Sequence, residues 1–123
     1  MRLNVDSLSK DETNALISSD KVDGTQVFDG DGKALGSISR LMIGKRSGRV
    51  EYAVMRLADA QGESGKLHPL PWNALQYDAD RAGYVIGMDE ARLRKAPQYD
   101  GEAEPAFDRQ FGEMVHQYYG IEY

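Results

Sequence analysis

Turn signals divide this chain at short intervals, and that spacing limits what it can fold into. "DGDGK" at 29–33, "KRSGR" at 45–49, "DAQGESG" at 59–65 and "DADRAG" at 78–83 each combine Gly with Asp or Ser. These residues reach positive φ or bond back to their own backbone. Between them lie runs of strand length: "TQVF", "ALGSISRLMI", "RVEYAVMRL", "KLHPL" continuing into "WNALQY", and "GYVIGM". They are rich in β-branched and aromatic residues and carry no helical period long enough to compete. Five or six strands joined by hairpins predict a small, mainly β, antiparallel barrel, because closure removes the edges an open sheet would expose.

Two details sharpen that expectation. In the run after Ala34 the apolar side chains fall at Leu35, Ile38, Leu41, Met42 and Ile43. Strict alternation therefore breaks near Ser39 and Arg40, as a β-bulge at a barrel bend requires. "MDEARLRKAP" then predicts a short helix, with Asp89 capping its first turn, Arg92, Arg94 and Lys95 at its negative end, and Pro97 stopping it.

The residues after Pro97 differ in character. Residues 1–96 hold 14 Lys and Arg against 14 Asp and Glu, so the net charge of −5 sits in the last 27 residues, where six acids face Arg109 alone. Six of the eleven aromatics lie there too. Pro105 and Gly120 bracket about four helical turns, and Phe107, Phe111, Met114, Val115 and Tyr118 recur at helical spacing. Leaving such a stripe in water forfeits ~1.5–3 kcal/mol per large side chain. The tail is therefore expected to dock, on its own barrel, on a second subunit or on another protein. The chain accordingly divides into a lead-in (1–22), a barrel (23–100) and an acidic, aromatic helical tail (101–123), with "LSKDETNALI" as a short helix in the lead-in.

Composition excludes several classes. With no cysteine there is no disulfide framework, thiolate nucleophile or thiolate metal site. No segment reaches the ~20 apolar residues of a membrane span, and the polar N-terminus lacks a signal-peptide core. A cytoplasmic protein is expected. Arg40, Lys45, Arg46, Arg49 and Arg56 face only Glu51 within 17 residues. That is a local basic patch, not the pervasive positive charge of a DNA binder. It reads as a solvated hairpin, a dock for an acidic partner including the protein's own tail, or an RNA contact. The absence of interleaved exposed aromatics counts against RNA.

Motifs for chemistry are thin. Asp29 and Asp31 open like a calcium loop, but Lys33 and Ser37 break the ligand pattern, so a tight hairpin is expected. Glu113 and His116 have the spacing of one half of a carboxylate-bridged metal site without the second half. His68, among apolar neighbours, reads as a hydrogen-bonded strand histidine, and no Gly-x-Ser-x-Gly elbow exists. No catalytic residue, metal or cofactor is expected. "PLPW" reads as fold, with Pro71 fixing the extended entry to a strand and Trp72 closing the core.

The blocks "GTQVFDGDGKALGSISRLMIGKRSGRVEYAVMRL", "LHPLPWNALQYD" and "GYVIGMDEARLRKAPQYD" together resemble the PRC-barrel family. That family includes the cytoplasmic domain of the photosynthetic reaction centre H subunit, the C-terminal domain of a ribosome maturation factor, and many stand-alone bacterial proteins. The pattern is that of the stand-alone members, in which an acidic, aromatic tail follows the barrel. The resemblance implies a non-enzymatic interaction or assembly module, expected to form a homodimer and to bind an unidentified protein. An RNA- or ribosome-associated factor is the second reading, and an enzyme with an unrecognised site the third. The residues assigned to interaction are Arg40, Lys45, Arg46, Arg49, Arg56, Phe107, Phe111, Val115 and Tyr118.

Overall fold

A computed structural model of the chain describes residues 15–59 and 62–123. Its elements run α1 (Ser19–Val22), β1 (Gln26–Phe28), β2 (Ala34–Ile43), β3 (Val50–Asp59), β4 (Gly62–Pro71), a 3₁₀ turn (Trp72–Ala74), β5 (Leu75–Asp78), β6 (Gly83–Ile86), α2 (Glu90–Arg94), β7 (Tyr99–Asp100) and α3 (Arg109–Tyr119). The strands form one sheet in the order β5-β6-β1-β2-β3-β4-β7. In that order β4 and β5 stand five ladder steps apart, ~24 Å across a flat sheet. Yet only the 3₁₀ turn separates them, and the chain from Pro71 to Leu75 reaches ~14 Å at most. The sheet is therefore rolled, with Trp72–Ala74 as the corner that holds its two ends together.

The mainly β fold agrees with the sequence, and three particulars correct it. Among the described residues seven strands are present, not five or six. Among the described residues the ladder does not close, since β5 and β7 each have one neighbour. One pairing is parallel, Val27 with Tyr84 and Phe28 with Val85. No tight turn links β1 to β6, so none imposes antiparallel pairing on them. "DAQGESG" is mostly strand, with Asp59 pairing Gly62 and Ala58 pairing Glu63. The predicted helix over "LSKDETNALI" falls largely outside the described residues. The run-in behind it contributes Val22, 2 % exposed, to the core.

Local signals account for the elements. The β2–β3 register shifts between Ile38 and Arg40, placing the bulge where apolar alternation breaks. The "DGDGK" turn is a hairpin in which Asp29 Oδ1 accepts the N–H groups of Asp31 and Lys33, both at 2.9 Å. Asp89 accepts the Arg92 N–H at 2.8 Å and so caps α2. Pro69 and Pro71 are tolerated in β4 because β7 pairs only with Lys66 and Leu67, leaving the rest of that edge unpaired.

β3 is buried on both faces, which is why "YAVM" reads as a continuous apolar run. Ala53, Met55 and Leu57 point into the main core with Leu35, Ile38 and Leu70. Val54 points outward to a second cluster with Leu67 and Tyr99, on which Met42 and Phe107 pack. Pro71 is buried, but it ends β4 instead of opening a strand. Trp72 is half-buried in the corner, packed on the main core with its ring 5.4 Å from Tyr84. The pair makes a bend, since the proline φ of −55° feeds directly into the 3₁₀ turn.

Candidate functional site

The tail lies on its own barrel, over the outer face of β3 and β4. β7 brings it there, laying Tyr99 beside Leu67 and Asp100 beside Lys66, with Lys66 Nζ 2.9 Å from Asp100 Oδ1. Arg40 pairs with Glu104 and donates to the Tyr99 hydroxyl at 3.1 Å, closing a clip between β2 and the start of the tail. Phe107 then stands edge-on to Tyr52 at 5.3 Å, Tyr99 at 6.3 Å and Phe111 at 5.0 Å. Such pairs each contribute ~0.5–1.5 kcal/mol beyond their buried area. At the far end the Tyr118 hydroxyl donates to the Arg92 carbonyl, and the Arg92 guanidinium lies over the Tyr118 ring at 5.6 Å.

The helix itself is shorter than its brackets implied. Asp108, not Pro105, sets its start, accepting the Phe111 N–H at 2.9 Å, so α3 has three turns instead of four. Gly120 ends it at φ +67°, a conformation that costs glycine nothing. Of the stripe, Val115 is wholly buried, while Phe107, Phe111 and Tyr118 are half-buried against the barrel. Met114 instead faces out, 49 % exposed. The buried face runs through Val115 together with Gly112 and Tyr119, two residues the stripe did not include. Gly112 is small because Tyr123 and the Tyr52 hydroxyl press on it. Burial, with Tyr123 and Glu51 nearby, raises the Tyr52 pKa. Burial also raises that of Tyr119, whose hydroxyl has no hydrogen-bond partner among the described residues.

The basic patch separates into two parts. Arg40 is taken up by the tail, and Arg56 is half-buried in β3 and engaged within the fold. Lys45, Arg46 and Arg49 are exposed on the β2–β3 hairpin and make no ion pair with any described residue. The loop satisfies its own backbone: Gly44 N–H donates to the Arg49 carbonyl at 2.8 Å, Gly48 N–H to the Gly44 carbonyl at 2.9 Å, and Arg49 N–H to Ser47 Oγ at 3.1 Å. Three cations are thus held on a fixed turn, with Ile43, 52 % exposed, at its base. Sequence patterning missed Ile43 because Leu35 to Met42, the residues that precede it in β2, are buried or half-buried.

The remaining candidates have other partners. Glu113 pairs with Arg109 at 3.2 Å, while His116 Nδ1 donates to the Gly112 carbonyl at 2.8 Å and its ring packs on Tyr52 and Tyr123. Asp29 is spent on its turn. His68 is in β4, 1 % exposed, but the expected hydrogen bond is not made: neither ring nitrogen has a partner among the described residues. Burial, aided by the Arg94 charge, lowers its pKa to about 4, so it is neutral at pH 7. Among the clefts lined by described residues, one of about 350 Å³ lies beside Gln76, Met88 and Tyr119 and one of about 400 Å³ beside Pro105, Phe111 and Met114. Each has one titratable side chain in its wall, Tyr119 in the first and Asp108 in the second. Among the described residues no helix is long and apolar enough to cross a membrane.

Residues 16–91 match the model of the PRC-barrel domain, more than half of the sequence. The chain belongs to the PRC-barrel family. The match covers α1 through the start of α2, hence the rolled sheet and its corner, and stops before β7 and the tail. No curated protein matches this PRC-barrel chain. Among solved structures it is similar to a protein described as a 16S ribosomal RNA processing protein, RimM, from Pseudomonas aeruginosa, at 18 % identity and a TM-score of 0.39. The likeness covers 68 % of this chain and 50 % of that one, so this chain spans about half of that protein.

Proposed function

We propose that this PRC-barrel protein is a non-enzymatic protein–protein interaction or assembly module, self-associating and acting in the cytoplasm without a cofactor. One observation carries the reading: the aromatic tail is consumed on its own barrel, whereas Lys45, Arg46 and Arg49 have no ion-pair partner among the described residues and stand on a self-bonded turn beside exposed Ile43. A rigid cationic loop loses little entropy on binding and favours an acidic partner with an apolar contact point. An enzyme would need convergent titratable groups in a pocket, and each of the two clefts described above contributes one. The test is affinity capture from nuclease-treated lysate of the source cells, comparing the full chain with a Lys45→Gln, Arg46→Gln, Arg49→Gln variant. The reading expects protein capture that the variant loses. Capture indifferent to the hairpin, or of RNA that nuclease removes, would overturn it.

A further inference from the structure

The hairpin and the outer face of α3 are opposite in charge and each carries an exposed apolar side chain, yet neither is satisfied by the other within one chain. Of the six tail acids, Asp100 pairs with Lys66 and Glu104 with Arg40. Of the others, Glu113 pairs with Arg109 within α3, while Glu102, Asp108 and Glu122 flank the helix, all exposed, so a net negative charge stays on the outer side of the tail. Set into it are the exposed Met114 and half-buried Phe111, which with Pro105 border the cleft of about 400 Å³. The hairpin offers the inverse, three exposed cations with no ion-pair partner among the described residues, around one exposed aliphatic side chain.

Both surfaces also lie on one side of the molecule. The hairpin follows the ladder pair Met42 and Tyr52; Tyr52 meets the Phe107 ring just before α3 begins, and Met42 packs on the same outer cluster as Phe107. A patch and its complement on one side of a chain meet the condition for an isologous, two-fold contact, which closes after two copies. We propose that the hairpin's partner is a second copy of this chain: Ile43, Lys45, Arg46 and Arg49 of each protomer dock on Phe111, Glu113 and Met114 of the other. This assignment rests on the interaction-module reading above. It differs from an exchange of tails, since each tail stays on its own barrel and only its outer face is shared.

Sedimentation of the full chain, with two charge-reversed variants, tests this. One variant carries Lys45→Glu, Arg46→Glu and Arg49→Glu; the other carries Gln110→Lys and Glu113→Lys, all at exposed positions. The wild type should dimerise at low salt, with affinity falling roughly tenfold or more by about 0.5 M salt as the exposed charges are screened. Each variant alone should be monomeric. An equimolar mixture should dimerise again, because the reversed hairpin meets the reversed helix while the native pair also meets. That rescue cannot come from misfolded chains. A monomeric wild type, a dimer indifferent to both reversals, or a mixture that stays monomeric would each overturn the proposal. A monomer that still binds a different acidic protein through the hairpin would sink the second-copy assignment alone and spare the module reading. Hairpin-dependent binding of RNA would sink both.

Discussion

Replacing His68 by leucine should change how the fold responds to acid more than it changes the fold. Its ring is 1 % exposed, both nitrogens lack partners among the described residues, and its pKa is lowered from 6.5 to about 4. A depressed pKa means that the unfolded chain takes up the proton first as pH falls. The contribution of His68 to stability is therefore intact above about pH 6.5, drains between there and about pH 4, and is gone below. At 1.36 kcal/mol per pH unit, that shift is worth about 3 kcal/mol. At pH 7 the leucine variant should match the wild type or exceed it by up to ~2 kcal/mol, since it removes unpaired buried nitrogens. Urea denaturation of both proteins from pH 7 to pH 4 measures the difference. Lys33 and Arg94 hold the Glu90 carboxyl below its usual range, but that residue is common to both proteins and cancels. Curves that stay parallel through the whole range would refute the reasoning, by showing that His68 takes up its proton as readily folded as unfolded.

Other substitutions probe the corner, the sheet and the clip. Trp72→Ala should cost about 3 kcal/mol, at the low end for aromatic truncation because the ring is half-buried, and denaturant melts would show it; a loss under about 1 kcal/mol would contradict the corner's role. Gly36→Ala should cost about 2–3 kcal/mol, since a Cβ there overlaps the Arg56 carbonyl across the β2–β3 ladder; an unchanged thermal midpoint would contradict that close approach. Phe107→Ala should cost about 2–3 kcal/mol and make the segment from Gly101 to Tyr123 cleavable by protease while the sheet persists. A tail equally resistant in both proteins would show that the ring contacts do not hold it.

Sequence patterning was informative where the determinant is local. Turn chemistry located the hairpins, broken alternation located the bulge near Ser39, and Asp89 and Gly120 marked helix ends. It failed where the determinant is a distant partner. β7 is two residues long, too short for any period, and exists because Lys66 and Leu67 offer an edge. The parallel β1–β6 pair depends on the roll of the whole sheet. Trp72 was read as a strand opening because proline-tryptophan suits an extended entry, and only the short β4–β5 link shows that the chain must turn there. The interaction residues divided for the same reason: five cations adjacent in sequence became one clipped by Glu104, one engaged in β3, and three left in solvent.

The central claim is that the hairpin, and not the buried stripe or the free β5 edge, is the surface through which this protein associates. The direct measurement is a dilution series of ¹H–¹⁵N spectra of the full chain at low salt. The account predicts that resonances of Ile43 to Arg49 and of the outward residues of α3 shift together with concentration, while Leu75 to Asp78 of β5 and the inward-facing Val115 stay fixed. Shifts confined to β5, or none at any concentration with none induced by an acidic protein partner, would contradict it.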